Sequence, residues 1–125
     1  MSAILGRRIL LVEDEAVIAF AVEDMLVELG CAVVGPAFRL DDAIELAGRE
    51  AIDAAILDVN LNDQRGYAVA DELQRRGVPF LFATGYAENG VDWGGREVPL
   101  LAKPYRRDQI SAALSKLLGL QIVPD

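Results

Sequence analysis

Short apolar runs alternate with longer segments of helical period along most of this 125-residue chain. The runs lie at 9–12, 31–34, 54–57, 78–83 and 98–102, and between most of them apolar residues recur about every 3.6 positions. That alternation is the pattern of βαβ units and a parallel sheet. The runs are continuously apolar rather than alternating with polar residues, so the strands are expected to be buried on both faces, in an α/β fold with helices above and below. A length of 125 residues matches one domain, taken as 1–125 with a core of about 7–119 and a short tail at 120–125.

Local signals refine the elements. The first run is followed by a helix to about Gly30, with Val17, Ile18, Ala21, Met25, Leu26 and Leu29 near the helical period, Asp14 as a cap and Gly30 just past the end. The second strand is expected to close at Gly35-Pro36. A helix over 40–49 buries Leu40, Ala43, Ile44 and Ala47, with Asp41 or Asp42 near its start. The polar stretch 60–66 reads as a loop into a helix through Tyr67, Val69, Ala70 and Leu73, stopped near Gly77. Segment 85–97 holds four glycines and reads as irregular, with Trp93 a candidate contact. A last helix over 107–118 carries Ile110, Ala113, Leu114 and Leu117 on one face.

Composition removes whole classes of function. A net charge of −8 with arginines in scattered short pairs argues against nucleic-acid binding. The absence of histidine excludes a histidine general base, a Ser-His triad, a His-ligated zinc site and self-phosphorylation on histidine. The lone cysteine, Cys31, cannot form an internal disulfide and reads as a small buried filler. No signal peptide or membrane-length apolar run is visible, so a cytoplasmic location without membrane contact is expected.

Four of the strands end in chemistry-bearing residues: Glu13-Asp14, Asp58, Thr84 and Lys103. In a parallel sheet those ends lie along one edge, where ligands of open α/β sheets bind. Each residue has an ordinary reading when taken alone: helix-start acids, an Asp that opens a turn, a Thr before glycine, a loop Lys-Pro. Together, at the carboxyl ends of neighbouring strands, their types are complementary. Three carboxylates repel unless a cation joins them, and an all-oxygen set suits Mg²⁺ rather than zinc. Asp14 and Asp58 are the expected direct ligands, with Glu13 acting through water and the Asn60 carbonyl as a further contact. Asp58 is the expected nucleophile for an aspartyl-phosphate, with Mg²⁺, Lys103 and the Thr84 hydroxyl neutralising the transferring group.

The stretches Ile-Leu-Leu-Val-Glu13-Asp14-Glu15, Ile-Leu-Asp58-Val-Asn60, Phe-Ala-Thr84-Gly and Ala-Lys103-Pro104-Tyr resemble the four signatures of response-regulator receiver domains. The resemblance covers about residues 7–119. It implies a flavodoxin-like (βα)5 doubly wound sheet of five parallel strands in the order 2-1-3-4-5. It further implies Asp58 as phospho-acceptor, Glu13 and Asp14 as metal-site acids, Thr84 and Lys103 as phosphate contacts, and a cis Lys103–Pro104 bond. The partners implied are a sensor histidine kinase or histidine phosphotransfer protein and a downstream protein, with the chain a monomer or weak dimer. The stretch Pro79-Phe-Leu-Phe-Ala-Thr84-Gly-Tyr86 resembles the "FAT GUY" subgroup of single-domain receivers, which implies a role in general stress-response signalling.

Two features depart from the family pattern. Receivers commonly carry an aromatic residue three positions before the lysine, where this chain has Leu100; Tyr86 and Tyr105 are the alternative readout candidates. The glycine-rich 85–97 segment replaces the helix usual there, and it is expected to order on phosphorylation. The leading reading is a signalling relay or adaptor in which phosphorylated Asp58 changes partner affinity, and it stands beside two alternatives. One is a phosphate sink that drains a kinase. The other is an aspartate-nucleophile phosphatase, which generally needs a second acid two residues after the nucleophile, where this chain has Asn60.

Overall fold

The computed structural model describes residues 4–58, 60–61, 64–65, 67–84, 100–103 and 105–119. Strand β1 (Arg8–Val12) leads into α1 (Ala16–Glu28), β2 (Ala32–Ala37), α2 (Leu40–Arg49) and β3 (Ala54–Asp58). A small antiparallel pair follows, β4 (Asn60–Leu61) with β5 (Gln64–Arg65), where the sequence suggested only a loop. Then come α3 (Tyr67–Arg75), β6 (Phe80–Thr84), β7 (Leu100–Ala102) and α4 (Arg107–Leu117). Among the described residues the main sheet has five strands, ordered β2-β1-β3-β6-β7, and their four pairings are parallel. With the hairpin set aside, this is the expected order 2-1-3-4-5.

Why continuously apolar strands were needed is visible in the core. Successive residues of a strand point to opposite faces. Leu10, Val12, Ala55, Leu57, Phe80 and Phe82 therefore meet Ala43 and Ala47 of α2 and Val69, Ala70 and Leu73 of α3. Ile9, Leu11, Ala54, Ile56, Leu81 and Ala83 meet Val22 and Leu26 of α1 and Ile110 and Leu114 of α4. Ile4, which precedes β1, is fully buried in this second cluster, and the buried Cys31 thiol donates to the Ile4 carbonyl at 3.6 Å.

Three local expectations change. The buried stripe of α1 is Ala19, Val22 and Leu26, with Ile18, Met25 and Leu29 partly covered, whereas Val17 is 84% exposed and Ala21 also faces out. In an apolar helix such as this, several stripes satisfy the same period, and the helix's seat on the sheet selects one. Asp14 does not cap α1: Glu15 occupies the N-cap position, and its amide donates to the Glu13 carboxylate at 3.1 Å.

The third change is in β2, which does not close at Gly35-Pro36 but runs through them to Ala37. β2 is an edge strand, where proline is tolerated because its missing N–H faces away from the ladder. Leu10 pairs with Val34 and Val12 with Ala37, so β2 carries one extra residue as a bulge. Gly35 takes φ +100° there, and a Cβ would lie 2.8 Å from the Ala37 nitrogen and 3.0 Å from the Leu11 carbonyl. The Gly35–Pro36 peptide is cis.

Candidate functional site

The carboxyl edge of the sheet is assembled by strand register. Val12, the last residue of β1, pairs with Leu57, and Asp58 is the next residue of β3. Asp58 itself pairs with Ala83 of β6, and Thr84 with Ala102 of β7, so Glu13, Asp58, Thr84 and Lys103 all leave the sheet on the same side. The extension of β2 contributes here too. The Glu13 amide donates to the Ala37 carbonyl at 3.0 Å, which holds the start of the acidic turn against the far side of the bulge. No sequence signal pointed to Ala37; it becomes relevant only because β2 continues past its proline.

Glu13 and Asp58 are 2% and 5% exposed, and Asp14 is half-buried. One carboxylate oxygen from each of Glu13, Asp14 and Asp58 lies within 4.8 Å of the others. Lys103 Nζ sits 2.6 Å from Glu13 Oε1 and 3.2 Å from Asp58 Oδ2. Burial pushes the Asp58 carboxyl up to about 8, reinforced by its hydrogen bond to Glu13 and the nearby negative charges, with Lys103 opposing the shift. Burial would lower the Lys103 ammonium, but its hydrogen bond to Glu13 and the charges of Asp58 and Glu13 outweigh that, and its pKa rises. Lys103 thus remains a cation throughout the neutral range.

The donor set fits a small hard cation. Octahedral Mg²⁺ holds its oxygens at roughly 2.1 Å, so adjacent ligands lie roughly 3 Å apart and opposite ones roughly 4 Å. Three oxygens within 4.8 Å are compatible with that shell after minor adjustment. The set contains neither nitrogen nor sulfur, and two of its members are too buried to be neutralised by bulk solvent.

Tyr105 follows Lys103 by two residues but is packed in the core cluster with Ile110 and Leu114, 7% exposed. Burial and the negative charges of Glu13 and Asp58 push its phenol well above the usual tyrosine range. Asn60 lies in β4 opposite Arg65, and Leu100 in β7 opposite Phe82, both placed by backbone register. Tyr86, Trp93, the 85–97 segment and the cis Lys103–Pro104 expectation lie outside the described residues. No helix among the described residues is long and apolar enough to cross a membrane.

Comparison with known proteins agrees with this geometry. Residues 9–115 match the response regulator receiver domain family. The chain is 34% identical to the phyllosphere-induced regulator PhyR of Methylorubrum extorquens over 97% of its own length and 47% of the regulator's. A solved structure of PhyR, described as a stress response regulator, superposes with a TM-score of 0.79 at 34% identity over 93% of this chain and 46% of that one. The chain thus spans about half the length of this curated relative. SdrG from Sphingomonas melonis is 43% identical over 94% of this chain and 99% of its own, with a TM-score of 0.79. The receiver domain of a Pseudomonas aeruginosa sensor histidine kinase, solved with a magnesium ion coordinated in its active-site cleft, is 32% identical over 91% of this chain and 98% of that one, with a TM-score of 0.77. A parallel sheet in the order 2-1-3-4-5, with an acidic cluster and a lysine at its carboxyl edge and a family match over most of its length, shows that the chain belongs to the response regulator receiver domain family.

Proposed function

We propose that Asp58 accepts a phosphoryl group from a phosphohistidine on a sensor histidine kinase or a histidine phosphotransfer protein. One observation carries this reading: a buried carboxylate at the end of the central strand, 3.2 Å from a half-buried lysine and grouped with two further acids. A new O–P bond forms on Asp58 as the donor's P–N bond breaks, and the electron pair stays with the imidazole nitrogen. Transfer of this kind relies on positioning and charge neutralisation more than on covalent help. Lys103 faces the acceptor oxygen and offsets charge on the incoming group. Glu13, Asp14, Asp58 and the Asn60 carbonyl would hold Mg²⁺, which when bound supplies the second positive charge that phosphoryl oxygens need. The Thr84 hydroxyl would bind a phosphoryl oxygen from the β6 side.

The chain then acts as a regulator that catalyses only its own phosphorylation and dephosphorylation, with the acyl phosphate altering affinity for a downstream protein. Its likeness to PhyR, described as a stress response regulator, supports a place in stress-response signalling. The test is incubation with acetyl phosphate and Mg²⁺, read by intact mass. The expected result is a single phosphoryl adduct that is absent in Asp58→Asn and without the metal. No adduct from acetyl phosphate or from a phosphorylated histidine donor overturns the reading.

A further inference from the structure

Away from the acidic cluster, the outer edge of β2 carries a second surface that the acceptor chemistry does not use. Phe20 of α1 is 52% exposed and meets Phe38 edge-on, with ring centroids 5.9 Å apart. Beside Phe38 a cavity of about 270 Å³ opens between the end of β2 and the flank of α2. Pro36, Ala37, Phe38 and Leu46 give it apolar walls, and Asp42, Glu45 and Arg49 form its polar lining. Exposed aromatic surface that continues into an apolar recess is a common mark of a binding face.

Size and charge narrow the occupant. Cofactor and small-molecule sites run to roughly 300–1,000 Å³ and enclose most of the ligand. A recess of about 270 Å³ on a helix flank suits one anchoring side chain instead. On the rim, Glu45 is held by Arg49 at 2.7 Å, whereas exposed Asp42 has no ion-pair partner among the described residues. The lining therefore carries two acids against one base. An incoming cation next to the anchor would meet Asp42 directly, and an incoming acid would be repelled.

We propose that the β2–α2 groove docks a segment of a partner protein in which a large apolar anchor is flanked by lysine or arginine. The anchor fills the recess against Phe38 and Leu46, the exposed Phe20 ring covers its open side, and the flanking base pairs with Asp42. The groove shares Ala37 with the acidic turn but is lined by none of the acceptor-site side chains, and it does not depend on the acceptor reading.

The test is a titration of the isotope-labelled full chain, followed by amide NMR, with two synthetic peptides of equal length and apolar content. Both carry one tryptophan anchor, flanked by lysines in one and by glutamates in the other. The expected result is saturable shifts at Phe38, Asp42 and Leu46 with the lysine peptide alone. Asp42→Lys should weaken its binding about fivefold, as loss of an exposed charge pair would. Phe20→Ser should weaken it while leaving the amide spectrum of the core unchanged. Three outcomes overturn the proposal: no shift at these amides, equal shifts with both peptides, or shifts that follow protein concentration without peptide, which would assign the groove to a second copy of the chain.

Discussion

Lys103 Nζ lies nearer to Glu13 Oε1, at 2.6 Å, than to Asp58 Oδ2, at 3.2 Å. The lysine therefore bridges an acid of the metal cluster and the proposed acceptor, and it stands where a bound cation would draw on the same oxygens. In Lys103→Met that competition disappears. Even with strong screening, removing a unit charge about 4 Å away is worth roughly 1–4 kcal/mol. Mg²⁺ affinity measured by calorimetry should rise about tenfold or more, while the rate of adduct formation from acetyl phosphate should fall. Unchanged affinity would mean that the ion pair does not oppose the metal.

The raised Asp58 carboxyl sets a pH dependence. Unfolded, this group ionises near the ordinary aspartate value of 3.8; folded, it does so at about 8. The folded state thus holds the proton more tightly, and the associated stability is fully present below about pH 4. It is lost as pH rises through about 8, at a slope of at most about 1.4 kcal/mol per pH unit. Thermal unfolding in the presence of a chelator should show a midpoint that falls between pH 5.5 and pH 8.5. Asp58→Asn should remove most of that slope, and saturating Mg²⁺ should offset it at the alkaline end. A slope that Asp58→Asn leaves intact would assign the effect to another group.

Gly35 is the backbone position on which the acidic turn depends. In Gly35→Ala the new methyl would meet the Ala37 amide and the Leu11 carbonyl, at a left-handed φ that disfavours a side chain. Conformational strain and overpacking each cost about 1–2 kcal/mol, and β2 must shift to relieve them. Chemical denaturation should show a loss of about 2–4 kcal/mol. Because Ala37 accepts the Glu13 amide, Mg²⁺ binding should weaken as well. Loss of stability with unchanged metal affinity would uncouple the bulge from the site.

Ile4 precedes the residues matched to the family, yet it is fully buried in the core on the α1–α4 side of the sheet. Ile4→Ala should cost about 2–5 kcal/mol in denaturation, as deletion of a buried aliphatic side chain does. The neighbouring Leu5 is 58% exposed, and Leu5→Ala should cost far less. Equal effects at the two positions would show that the segment before β1 does not pack as described.

Much of this protein was legible before any coordinates. The α/β class, the strands, the helices and the strand-end set Glu13, Asp14, Asp58 and Lys103 follow from local rules. Apolar period is a property of the backbone's own repeat, and parallel pairing puts all strand ends on one edge. What the sequence misread depends on residues distant along the chain. Gly35-Pro36 carries the local signature of a stop, but β1 beside it and the open edge beyond it let β2 continue as a bulge. Val17 and Ala21 fit the helical period, but the sheet chose the stripe of Ala19, Val22 and Leu26. The hairpin at 60–65 is likewise a matter of pairing between two very short segments. At the site, residue types together with their places at the ends of parallel strands indicated that carboxylates and a lysine converge. Only the tertiary structure decided that Lys103 lies closest to Glu13, that Tyr105 is packed into the core, and that Ala37 holds the acidic turn. Sequence order fixes which groups reach an edge, whereas the distances among them are set by register, twist and burial, which no local pattern encodes.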